Sequence, residues 1–164
     1  MRLKIIFTLL IVLALAAVAS AQTKISGTLQ CGKADPAYTI PVGDRPDHAF
    51  VIGKSNCTWT KPLEIAGIVA KSEEDIVFED ASGNRVRGQS RNVDTMANGD
   101  KFYVTTQFTG ILKEGIFQSA EVTWTITGGT GKLKGLKGKG TSRGKGAADG
   151  TLTAEVEGEY ELPK

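Results

Sequence analysis

The chain has 164 residues, with 20 Lys and Arg against 18 Asp and Glu, two cysteines and one histidine. A single histidine excludes a multi-histidine metal centre, and the near-balanced charge gives no support to a global nucleic-acid role. The length suits one domain with a full core.

Residues 1–21 read as a secretory signal peptide. Arg2 and Lys4 give the positive start, Ile5 to Val18 the apolar run, and Ala19-Ser20-Ala21 a small-residue cleavage site. The apolar run is shorter than the roughly 18 residues of a membrane span. No cysteine follows the cleavage site, so neither a lipid anchor nor a membrane anchor is expected after cleavage. Both basic residues leave with the leader, and residues 22–164 remain as a near-neutral single domain, secreted or periplasmic. In such a compartment the isolated pair Cys31 and Cys57 reads as a disulfide. Metal or redox work by thiols calls for a tighter spacing such as C-x-x-C, which is absent.

Alternation then dominates. Ile25, Gly27, Leu29 and Cys31 share one face of a first strand. Lys33 to Pro46 holds three prolines and reads as a long loop. His48 to Ile52 and Cys57 to Thr60 are strand-like, interrupted at Gly53-Lys54-Ser55-Asn56; Leu63 to Ala70 and Glu73 to Glu79 are further strands. After a turn at Ser82-Gly83-Asn84, Asn84 to Thr95 carries Arg85, Arg87 and Arg91 on one parity. Asn98-Gly99-Asp100 signals a hairpin.

Lys101 to Ile111 and Ile116 to Thr127 form the clearest hairpin. Matching their apolar faces through a three-residue loop, Lys113-Glu114-Gly115, places Val104 opposite Trp124 and Phe102 opposite Ile126. The last hairpin, turning through Gly146 to Gly150, places Lys139 opposite Glu157 and Thr141 opposite Glu155 on the outer face. Leu152, Ala154, Val156, Gly158 and Tyr160 then point inward. Between these hairpins runs Thr127 to Gly140, with glycine at nearly every second or third place. It reads as a corner where the chain leaves the barrel wall and re-enters it. No long amphipathic helix is predicted. The class is all-β, a closed antiparallel barrel of about eight strands, calycin-like in shape.

Thr127-Gly128-Gly129-Thr130-Gly131, with Leu133 and Gly135, resembles the glycine-rich corner of the allene oxide cyclase and dirigent barrels. With Asp44-Arg45-Pro46-Asp47-His48, Cys57-Thr58-Trp59-Thr60 and Thr95 to Lys101, residues 22–164 also resemble uncharacterised exported bacterial proteins of this barrel group. The resemblance implies an eight-stranded antiparallel barrel with an apolar cavity. No catalytic residue of the plant families is placed on this sequence, so it implies no activity.

Several chemistries are absent. There is no G-x-S-x-G elbow, no phosphate-binding P-loop at Gly131-Lys132-Leu133, and no calcium-loop spacing at Asp94 to Asp100. No cofactor and no metal is expected. The candidates for acid–base work are His48, at the start of a strand near the rim, and Glu64, between Leu63 and Ile65. The lysines from Lys132 to Lys145 read as cross-strand partners of the Glu155 to Glu161 row, with no nucleic acid implied. Phe102, Val104, Trp124, Val156 and Tyr160 face inward, opposite Gly138, Gly140 and Gly144, a strand that presents almost no side chains. That leaves room for a small apolar or amphipathic molecule in a lining with few polar groups. A cyclase or isomerase acting in the same cavity, and a structural or surface-interaction barrel with a filled core, are the alternatives. The oligomeric state is not legible.

Overall fold

The structure, a computed structural model, describes residues 22–163. The signal peptide assigned to residues 1–21 lies outside them. Ten strands follow in order: β1 (Thr23–Cys31), β2 (Ala37–Pro41), β3 (His48–Lys61), β4 (Glu64–Ile65), β5 (Ile68–Ser82), β6 (Arg85–Met96), β7 (Lys101–Lys113), β8 (Ile116–Gly129), β9 (Lys137–Gly146) and β10 (Leu152–Glu161). Eight of them close a barrel in the order β1-β10-β9-β8-β7-β6-β5-β3, with β3 pairing back onto β1. All these pairings are antiparallel. β2 lies on the outer end of β3, and β4 folds against the start of β5. Thus β3 is one continuous strand through Gly53, and the Pro-rich loop contains β2. Among the described residues no helix is long and apolar enough to cross a membrane.

One end of the barrel is plugged. The glycine-rich connection carries a single 3-10 turn, Gly131–Leu133, which drops Leu133 and Leu136 fully out of solvent. Thr130 fastens this connection to the β6–β7 turn, accepting from the Lys101 backbone N–H at 2.8 Å and donating its own N–H to the Lys101 carbonyl. Leu63, Ile65, Met96, Phe102 and Ile126 pack with the two leucines into one buried cluster. Each fully buried aliphatic of this kind contributes roughly 1.5–3 kcal/mol.

Cys31 and Cys57 are cross-strand partners and are bridged. The bond closes a separation of 26 residues, which contributes about 3 kcal/mol in the chain-entropy account. It ties β1 to β3 across the Pro-rich loop, and it accords with a non-reducing compartment.

Both expected hairpin registers are off by two residues. Val104 faces Ile126, and Thr106 faces Trp124. The turn is a two-residue one, with φ of 53° at Glu114 and 75° at Gly115, the left-handed pair that a tight hairpin requires. Gln118 is then an extra residue between Phe117 and Ser119, and this bulge restores the inward parity that a two-residue turn alone would reverse. In the last hairpin Lys139 faces Glu159 and Thr141 faces Glu157. The loop centres one residue later than expected, because the Ala147 N–H bonds the Thr151 carbonyl and Asp149 accepts from the Thr151 backbone and hydroxyl. The cross-strand pairing of lysine with glutamate survives: Glu159 is met by Lys24 at 2.7 Å and Lys139 at 3.8 Å.

The wall of β2, β3 and β5 is turned inside out relative to the rest. Tyr38, Ile40, Phe50, Ile52, Ile76 and Phe78 lie on its outer face, with Tyr38 62% and Ile76 53% exposed. Phe50 and Phe78 stack there at 5.5 Å. The polar parity of β5 is consequently the inner one.

Candidate functional site

A cavity of about 570 Å³ occupies the middle and open end of the barrel. Its mouth lies between Lys33-Ala34, the β7–β8 turn and the β9–β10 loop. Four of the expected lining residues, Phe102, Val104, Trp124 and Val156, border it. Gly140 and Tyr160 do not. The Trp124 ring lies over Gly140 and Gly158 and donates its indole N–H to the Thr141 carbonyl at 3.1 Å. It fills the space that the glycine strand was expected to leave. Ile126 likewise covers Gly138, where an added Cβ would come within 2.8 Å of it. The free volume therefore begins higher on β9, at Ser142, Gly144 and Gly146. The Tyr160 hydroxyl is on the plugged side, accepting from the Ala66 N–H at 3.0 Å.

The lining is far less apolar than expected. Register carries acids around one side of the wall: Cys57 faces Glu73, Glu73 faces Asp94, and Asp94 faces Phe102. One row further up, Ser55 faces Asp75 and Asp75 faces Asn92; Glu79 follows beyond Val77. Glu73, Asp75, Glu79 and Asp94 all border the cavity. Asp94 is 1% exposed, and its Oδ1 accepts the Trp59 indole N–H at 2.8 Å. Its Oδ2 has no hydrogen-bond partner, and neither has Asp75 Oδ1. A buried acceptor left in this way costs about 1–3 kcal/mol. Ser90, Asn92 and Thr106 form a polar chain beside these acids: the Ser90 hydroxyl donates to Asn92 Oδ1 at 2.5 Å and lies 2.7 Å from the Thr106 hydroxyl, and Asn92 hydrogen-bonds Glu73.

Burial dominates the titration of these acids. Desolvation pushes the Asp94 carboxyl up to about 7, against the Trp59 hydrogen bond that lowers it. Glu73 is held well above the usual carboxylate range by burial and then by the facing Asp94 charge. Burial also raises Asp75 and Glu79. A carboxyl near 7 exchanges its proton close to neutral pH. The Glu73 carboxylate also lies within 4.8 Å of both cysteine sulfurs, but these are bonded to each other and are not available as thiolate ligands.

The two residues expected to do acid–base work lie outside the cavity. Glu64 is exposed on the short β4 strand. His48 belongs to the outward parity of β3. It contacts Asp44 through Nδ1 and Asp80 through Nε2 at 3.0 Å, and the Arg87 guanidinium makes two bonds to the other Asp80 oxygen. The Arg87 contact holds the Asp80 carboxyl below its usual range. This cluster fastens the Pro-rich loop to β5 and β6. Sequence reasoning missed the inner acids because alternation alone does not say which parity of β5 faces inward. The signal was present on the next strand: Arg85, Arg87 and Arg91 outward set Ser90, Asn92 and Asp94 inward, and the turn at Ser82-Gly83-Asn84 then pairs Asp94 with Glu73.

No protein-family model matches the chain, and no curated protein matches it. Solved structures do. The chain is similar to a pyocyanin demethylase at 17% identity and TM-score 0.42, over 81% of this chain and 98% of that one. It is also similar to a protein of unknown function from the DUF3224 family of Shewanella oneidensis MR-1, at 17% identity and TM-score 0.48, over 87% and 100% of the two chains. Neither lends this chain a chemistry.

Proposed function

We propose that this is an exported barrel that holds a small amphipathic molecule in its interior. The observation that carries this is the cavity itself. Its volume of about 570 Å³ falls within the range of ligand sites, and it opens at one end of a wall whose other end is sealed by Leu133 and Leu136. Protein interiors otherwise pack close to crystal density, which weighs against a filled structural core. Aromatic and aliphatic groups on one side and carboxyls on the other suit a guest with an apolar body and a polar end. A His48 or Glu64 facing the cavity would favour the cyclase or isomerase alternative, and both lie outside it.

Native mass spectrometry of the protein purified from its own host tests this reading. The protein is expected to carry the mass of residues 22–164, less two hydrogens for the Cys31–Cys57 bridge, plus a small molecule that leaves on collisional activation. A bare chain in every preparation, with no adduct from the host's own extract, would sink interior binding. A chain retaining residues 1–21 would sink export with cleavage after Ala21.

A further inference from the structure

We propose that the guest is an organic cation: an ammonium group with at least one N–H, carried on an apolar body, seated on Asp94 and Glu73 with its body along Trp59, Trp124 and Phe102. This rests on the interior-binding reading above and adds the charge and donor character of the guest.

Three observations lead to it. First, the sign of the lining is one-sided. Glu73, Asp75, Glu79 and Asp94 border the cavity, with Asp149 at its mouth, and the one basic residue on its border is Lys33, exposed at the mouth. Second, Asp94 is almost wholly buried, and its Oδ2 lacks a donor, as does Asp75 Oδ1. The barrel wall does not require acids there, since other inward positions are filled by Ser, Val and Gly. Third, Glu73 directly faces Asp94 across the β5–β6 ladder, so the two carboxyls cannot both ionise there without a counter-charge.

A cationic N–H donor answers all three at once. It supplies donors to the unpartnered oxygens and the counter-charge that lets the facing carboxyls ionise, and charge-assisted bonds of this kind are the stronger ones. The indole faces of Trp59 and Trp124 also favour a cation over a neutral group. An anionic guest meets five carboxyls, and a neutral apolar one leaves the orphaned oxygens as they are. A bare divalent ion fits less well. Among the described residues the one trio of candidate ligand atoms within 4.8 Å of one another is Glu73 with the two bridged sulfurs, whereas hard cations gather six or more oxygens.

The test is isothermal titration of the disulfide-bonded protein at about pH 8 with octylammonium, octanol and octanoate. Octylammonium is expected to bind at least about tenfold more tightly than octanol, with octanoate weakest. In Asp94→Asn/Glu73→Gln the preference of octylammonium over octanol is expected to vanish. If octanol or octanoate binds as well as octylammonium, or if the preference persists in the double variant, the cation inference fails and interior binding stands. If none of the three binds, interior binding fails and takes this inference with it. Should the double variant not fold, Asp94→Asn alone and the ranking on the natural protein decide the matter.

Discussion

Gly140→Leu is expected to unfold the protein. Gly140 sits under the Trp124 ring, against the β10 backbone at Glu157 and Gly158, and an added Cβ collides with all three. Two of these obstacles are backbone, which has no rotamer by which to yield. The third is an indole fixed by its bond to the Thr141 carbonyl. Overpacking of this kind costs about 3 kcal/mol or more, a large part of the stability of a domain this size. Gly158 is under the same ring, and an alanine there should be destabilising for the same reason. Circular dichroism melts of Gly140→Leu beside the natural protein check this. A variant melting within a few degrees of the natural protein would mean that Trp124 is free to swing away, and that the glycine strand does border open space.

Stability is expected to fall as pH rises from about 5 to 8, and Asp94→Asn should remove much of that fall. The sign follows from proton counts. In the unfolded chain an aspartate loses its proton near 3.8, whereas buried Asp94 holds it to about 7. Between those values the native state binds more protons, so each step up in pH favours unfolding. For Asp94 this loss is complete once pH exceeds its raised pKa of about 7. Glu73, Asp75 and Glu79 act in the same direction. Asp44 and Asp80 act in the opposite one: their carboxyls are lowered by contacts to His48 and Arg87, so stability is also lost on strong acidification. Asparagine at 94 still accepts from Trp59 and offers an N–H on its other arm. Urea midpoints of Asp94→Asn should therefore match the natural protein near pH 5 and exceed it near pH 8. Equal pH slopes for the two proteins would contradict an ionisable Asp94 in the interior.

The barrel was legible because its walls alternate and its turns are marked by glycine. β1, β7, β8 and β10 each place apolar residues on one parity, and the structure keeps every one of those parities. Register was less legible. It depends on Gln118, a bulged residue with no distinctive side chain, and on the Asp149–Thr151 contact that moves the last loop by one residue. Both errors are of two residues, since an error of one would have turned apolar faces outward. The cavity was half legible. Phe102, Val104, Trp124 and Val156 follow from parity. The acid wall does not, because β5 exposes Ile76 and Phe78 and buries Glu73, against the usual preference. The volume missing from Gly138 and Gly140 signalled space, but sequence carries no sign that Trp124 and Ile126 lie in it.

The contrast between Gly140 and Ser142, two residues apart on β9, bears most directly on whether the interior accepts a guest. Ser142 borders the cavity beside Val156, its cross-strand partner, so a phenylalanine there extends into free volume. Fluorescence titration with N-phenyl-1-naphthylamine, an apolar amine probe, compares the natural protein with Ser142→Phe and Val156→Phe. Saturable binding is expected for the natural protein, weakened by about tenfold or more in either variant, with melting temperatures unchanged. If the natural protein shows no saturable binding, or if the filled variants bind the probe equally well, the cavity is not the site of a guest.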